Sequence, residues 1–145
     1  MPNPVPKGFG TVTPFLTVTD HREANRVSPK SLRRKVYFRM DAPDGSVRHA
    51  EVKIGDSIIM IGQVAAGQEM HSMLHLYVPD TDALYQSALA AGAVSIREPT
   101  DQFYGDRSAG VHDSWGNQWW MATHVEDVSQ QEMERRMAAM STRAN

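Results

Sequence analysis

The sequence contains no cysteine, so a disulfide, a thiolate zinc site and a cysteine nucleophile are all excluded. No run approaches the roughly 18 apolar residues of a membrane span, and the opening MPNPVPKGFG has no apolar core of a secretion signal. Nor is there a glycine-rich phosphate loop, a nucleophile elbow or an HExxH pair. What is present is ordinary: 41% hydrophobic and 22% charged residues over 145 positions. That is enough for a real core, in one domain or two small fused halves. A soluble cytoplasmic protein without a membrane partner is expected.

Net charge is −2 but unevenly spread. Residues 21–39 hold seven of the fifteen Lys/Arg and one of the seventeen acids, which leaves the remainder at −8. Such a body carries no global nucleic-acid footprint, although a local basic patch is compatible with it.

In TVTPFLTVTD (11–20), Val12, Leu16 and Val18 alternate with Thr13, Phe15 and Thr17, the period of a half-buried strand. KVYFRM, the Asp44-Gly45 turn and VRHAEVKI predict a hairpin, with Ala50, Val52 and Ile54 opposite His49, Glu51 and Lys53. A turn at Gly55-Asp56 leads to a strand over Ile58–Gln63, and the small-residue stretch QVAAGQEMHS is the best linker candidate. MLHLYVPD alternates again. TDALYQSALAAGA predicts a helix capped by Asp80 or Thr81, with Leu84, Ala88 and Ala91 on one face and Gly92 as its stop. VSIREP, GVHD and QWWMATH predict strands, with TDQFYGDRSAG as a loop and 114–117 as a structural turn. The tail predicts a helix with a Ser129/Glu132 capping box, a Val128/Met133 staple and a Met133, Met137, Met140 stripe for the core or a dimer contact. The halves match weakly, TPFLTVTD with LHLYVPD and EVKIGDSIIMIG with VHDSWGNQWWMA, an internal repeat of a βαβββ unit.

On these stretches, and most specifically over 100–129, the chain resembles the vicinal oxygen chelate superfamily (glyoxalase, bleomycin resistance, dioxygenase), and within it the PhnB-like branch. The resemblance implies an α+β fold. Two βαβββ modules form curled mixed sheets round a cleft, with a C-terminal helix and usually a homodimer. The whole chain is then one domain, with module one at 9–64, module two at 72–124 and the helix at 128–140. Members that use a metal place ligands on the first and last strand of each module, here Thr13, Met60, His75 and Trp120. Only His75 is a strong ligand, and a divalent catalytic site needs about three protein ligands. No metal and no cofactor are therefore expected.

Alternation offers an independent route to the cleft. If Leu74, Leu76 and Val78 pack on the helix, then His75 and Tyr77 line the cleft, and so do Phe15, His49, Glu51, Met60, Gln118 and Trp120. Candidate catalytic residues are His75 and the His49/Glu51 pair, which can hold one imidazole tautomer. Candidate ligand-binding residues are Phe15, Met60, Tyr77, Tyr104, Arg107 and Trp120. Each has a plainer reading: His75 as a histidine bonded to backbone, His49 and Glu51 as a solvated strand face, Arg107 as the partner of Asp101 or Asp106. The expectation is a small-molecule-binding PhnB-like protein with metal-independent proton transfer as a possible activity. The alternatives are a bleomycin-resistance-type protein that sequesters a drug without catalysis, and a phosphate or nucleic-acid binder acting through 21–39.

The resemblance calls for an amphipathic helix over HREANRVSPKSLRRKVYF (21–38). No apolar period runs there, and Pro29 interrupts it at a cost of about 3 kcal/mol in a helix interior; at best Ser28-Pro29 caps a short helix over 29–36. Read one base downstream with permitted synonymous codons, the segment becomes TAKQIEFLRKAFGAKFI. That string has an Ile, Phe and Leu stripe and a glycine stop, and it resembles the family's first helix. On this one permitted reading residues 21–37 are out-of-frame sequence, their basic charge reports no partner, and the apolar face of module one lacks its cover; the plainer alternative is a genuinely divergent, solvated segment. Resequencing the gene should show the compensated frame slip. Peptide mass spectrometry across 21–38 that matches the sequence as written, from a gene with no slip, would contradict it.

Overall fold

The computed structural model describes residues 3–19 and 34–143. The expectations attached to 21–33 lie outside the described residues, and from Arg34 onward the chain is strand rather than the end of a short helix. The first sheet contains β1 (Phe15–Val18), β2 (Arg34–Asp41), β3 (Val47–Ile54) and β4 (Ser57–Gln63) in the order β1-β4-β3-β2. The second contains β5 (Met73–Tyr77), β6 (Val94–Asp101), β7 (Asp106–His112) and β8 (Gln118–His124) in the order β5-β8-β7-β6. In each sheet the first strand pairs parallel with the last, and the other pairings are antiparallel. The internal repeat is therefore a repeat of topology. Helix α1 (Thr81–Ala90) crosses between β5 and β6, and α2 (Gln130–Arg143) follows β8.

Period-two patterning sorts each strand into two faces. Leu16, Val18, Ala50, Val52, Ile54, Ile59 and Ile61 are buried on one side of the first sheet, whereas Val12, ahead of β1, is exposed. Ala109, Val111, Trp119 and Met121 are buried on one side of the second, against Leu84, Tyr85 and Ala88 of α1. Both sets belong to one hydrophobic cluster, in which each large aliphatic side chain contributes about 1.5–3 kcal/mol on burial.

The helix signals act as expected at α1. Asp80 caps it by accepting from the Ala83 N–H (2.9 Å). Buried Thr81 donates to the Arg107 carbonyl (3.1 Å) and meets the Thr123 hydroxyl (2.9 Å). Gly92, at φ +98°, lets the Ala93 N–H return to the Ala88 carbonyl (3.0 Å), closing the helix in a Schellman turn. At α2 the capping box is half made. Ser129 Oγ accepts from the Glu132 N–H (3.2 Å), but the Glu132 carboxylate turns to Arg135 and Arg136. Met137 and Met140 are exposed on this chain.

TDQFYGDRSAG is not a loop. Strand β6 runs to Asp101, a tight turn ends at Gly105 (φ +99°), and β7 starts at Asp106. Pro99 lies in β6 just ahead of this stretch. As the edge strand β6 tolerates the missing N–H, and the register shifts between Arg97 and Thr100.

This hairpin ties down the end of β8. The Gly105 carbonyl accepts from the N–H groups of Val125 (2.9 Å) and Glu126 (3.0 Å). Asp106, almost fully buried, accepts from the Tyr77 hydroxyl (3.0 Å) and pairs with His124 Nδ1 (2.7 Å). His124 Nε2 meets Asp127 at 3.0 Å. Asp127, then Asp106, raises the His124 pKa above its ordinary 6.5, and the bond to Asp106 raises that of Tyr77. A raised histidine pKa means that imidazolium pairing adds stability in full below the unfolded value. That stability is lost as pH rises through the folded value. Thermal stability should thus decline as pH rises from about 6 through the His124 midpoint, and His124→Gln should flatten that decline. Parallel pH profiles of the two proteins would contradict the coupling.

Candidate functional site

The side of each sheet opposite the core carries the polar and aromatic candidates. In the first sheet, Phe15, Met60, Glu51 and Phe38 form one transverse row across four strands. Gly62, Phe15's neighbour on β4, makes room: a Cβ there would lie 2.5 Å from the Phe15 ring. His49 Nε2 stands 3.4 Å from Glu51, and its ring lies between those of Phe15 (6.1 Å) and Phe38 (6.3 Å).

The equivalent row of the second sheet is His75, Trp120, Gly110 and Arg97. The Trp120 ring lies over β7, and a Cβ at Gly110 would meet it at 2.9 Å. Trp120 Nε1 donates to Gln118 Oε1 (3.0 Å). Arg97 reaches across from β6 with its guanidinium carbon 4.7 Å from the Trp120 ring centre, the distance of a cation–π contact. Its Nη2 donates to the buried Ser108 hydroxyl, and its Nε is buried without a partner. His75 and Tyr77 are exposed, with ring centres 5.1 Å apart. The same two residues help to line a cavity of about 700 Å³, together with Ile54, Ile59, Leu76 and Leu84. That volume suits a small molecule, for which pockets of about 300–1,000 Å³ are usual.

The other predicted residues lie elsewhere. Arg107 is on the α1 side of β7, its guanidinium gripped by both carboxylate oxygens of Asp82 (2.6 and 2.8 Å) and by Asp101 (3.0 Å). These bonds raise its pKa and lower that of Asp82. Tyr104 is half-buried in the β6–β7 turn, its ring edge-on to Phe103. Asp113 holds the 113–117 turn and accepts from Trp119 Nε1 (3.1 Å), so Trp119 faces the core and Trp120 the open side. Thr13 precedes β1, and the residue paired with Met60 as His75 is with Trp120 is Phe15. Phe15, Met60 and Trp120 supply no hard donor, and the described residues contain no group of three His, Cys, Asp or Glu able to hold a metal. This donor set does not fit a divalent ion. Arg97, Ser108 and His124 escaped the sequence reading, and Asp106 entered it only as a partner for Arg107, whereas it is engaged by Tyr77 and His124. The one signal for them was a charged residue inside an apolar strand, in SIREP.

No family model matches the chain. An uncharacterized protein of Mycobacterium bovis is 31% identical over 146 residues, covering 92% of this chain and 94% of that protein. Among solved structures, TioX from Micromonospora sp. ML1 is 25% identical with a TM-score of 0.66, covering 80% of this chain and 100% of TioX. A glyoxalase/bleomycin resistance protein/dioxygenase family enzyme from Burkholderia phytofirmans PsJN is 16% identical with a TM-score of 0.61, covering 77% and 95%. No helix among the described residues is long and apolar enough to cross a membrane. The chain belongs to one family with the mycobacterial protein, and its architecture is that of the glyoxalase/bleomycin-resistance/dioxygenase, or vicinal oxygen chelate, superfamily.

Proposed function

We propose that this protein binds a small organic molecule, as a PhnB-like member of the superfamily that works as a homodimer without the divalent ion. The observation that carries the reading is the cavity of about 700 Å³ beside β5, whose wall combines His75 and Tyr77 with aliphatic side chains. An apolar concavity with a few polar groups is the usual form of a ligand site. In this reading His75, in the cavity wall, or His49, 3.4 Å from Glu51 on the first sheet, would move a proton on a bound ligand. One observation favours a second reading, sequestration of a cationic drug. The Phe15, Met60, Glu51, Phe38 row sets a carboxylate among aromatic side chains.

A thermal-shift screen of metabolite anions against cationic drugs separates the readings, because a ligand selective for the folded state raises Tm. Hits that lose their shift in His75→Ala and Tyr77→Phe support the first; hits confined to cations and lost in Glu51→Gln support the second. No hit in either group would contradict both.

Elemental analysis of tag-free protein should find well below one equivalent of any divalent metal. One equivalent of nickel, zinc or iron that disappears in His75→Ala would overturn the metal-free proposal. Sedimentation should show a dimer at micromolar concentration, and a monomer at high micromolar concentration would refute the assembly.

A further inference from the structure

We infer that Arg97 is the anchor for the charged end of the ligand, so the site takes a small organic anion, a carboxylate in the first instance. The inference rests on the reading above that the protein binds a small organic molecule, and it places the charged end of that molecule on the open face of the second sheet, outside the residues that line the cavity.

Arg97 differs from the arginines that serve as ion-pair ties. Arg39, Arg107, Arg135 and Arg136 each hold a carboxylate at 2.7 Å or closer. Arg97 holds only the Ser108 hydroxyl and the face of Trp120. The one almost fully buried acid among the described residues, Asp106, is already engaged by Tyr77 and His124. The Arg97 Nε is the single buried side-chain polar atom without a partner among the described residues. A half-buried guanidinium with an orphaned Nε–H has lost part of its hydration and gained no counter-charge, a cost that an anion meeting the accessible Nη groups would offset.

The surroundings are built to keep that charge in place. Gly110 clears the space in which Trp120 lies, Trp120 holds the guanidinium, and Ser108 fixes one of its arms. A planar fork held in this way matches a carboxylate edge with two N–H groups. His75 stands at the far end of the same row, about three strand spacings or ~14 Å from Arg97. A small ligand anchored at the cation therefore lies over Trp120, and only one about 14 Å long also reaches His75.

The test compares three probes of one shape: 2-naphthoate, 2-naphthamide and 2-naphthylmethylammonium. Each is titrated into 15N-labelled protein while the Trp120 indole N–H signal, assigned with Trp120→Phe, is followed. The expected result is a Trp120 shift with naphthoate binding at least about tenfold tighter than the amide. That preference should shrink to within about twofold in Arg97→Gln and survive in part in Arg97→Lys. Equal affinity for naphthoate and amide, with Trp120 shifting for both, would overturn the anion inference and leave the small-molecule reading standing. Tighter binding of the ammonium would overturn it in favour of drug sequestration. Failure of all three to move Trp120 at millimolar concentration would overturn it as well. The thermal-shift screen would still judge the broader reading. If Arg97→Gln does not fold, the wild-type comparison of acid with amide decides alone.

Discussion

The absence of a Cβ at residue 110 lets an indole ring lie flat on the open face of the second sheet. Trp120 is a large side chain on an open face, and it lies over β7 only because its neighbour is glycine. Through it Arg97, on the edge strand, acquires a fixed position. The first sheet repeats the device with Phe15 over Gly62. Both glycines are in strand interiors, where the residue costs about 0.5–1 kcal/mol relative to alanine. Close approach of an aromatic ring offsets that cost, and it appears once in each sheet.

Charge is divided between two tasks. Arg107 and Arg136 are saturated with carboxylates and serve as ties, the first between β7 and α1, the second between α2 and the segment after β8. Asp106, with Tyr77 and His124, closes the end of β8 over β7. Arg97 has no such saturation, and its position over an aromatic ring, away from any acid, distinguishes it from the structural pairs. Arg107 is thus a tie within the fold, whereas Arg97 is a half-buried cation with no carboxylate on it.

That distinction marks the boundary of what could be read from the sequence. The strands were legible because period-two burial is written locally, and the helix ends because Asp80, Ser129 and Gly92 act on backbone groups within a turn. Asp106, Arg107, Ser108 and Gly110 look like loop composition, and only pairing with β6 and β8 makes them a strand. Arg97 was invisible because its partners, Ser108 and Trp120, come from two other strands. The ligand position on the first strand was set at Thr13, two residues early. The register with Met60, which fixes it at Phe15, is a property of the parallel pair and not of either strand.

The most direct measurement is a pair of crystal structures, of the wild-type protein and of Gly110→Ala, at matched resolution. A methyl group 2.9 Å from the indole cannot be accommodated without movement. The expected result is a Trp120 ring lifted off β7 and an Arg97 guanidinium no longer stacked on it, with Ala109, Val111 and Met121 still packed in the core. An indole and guanidinium that keep their places in the variant would contradict the claim that this glycine shapes the open face.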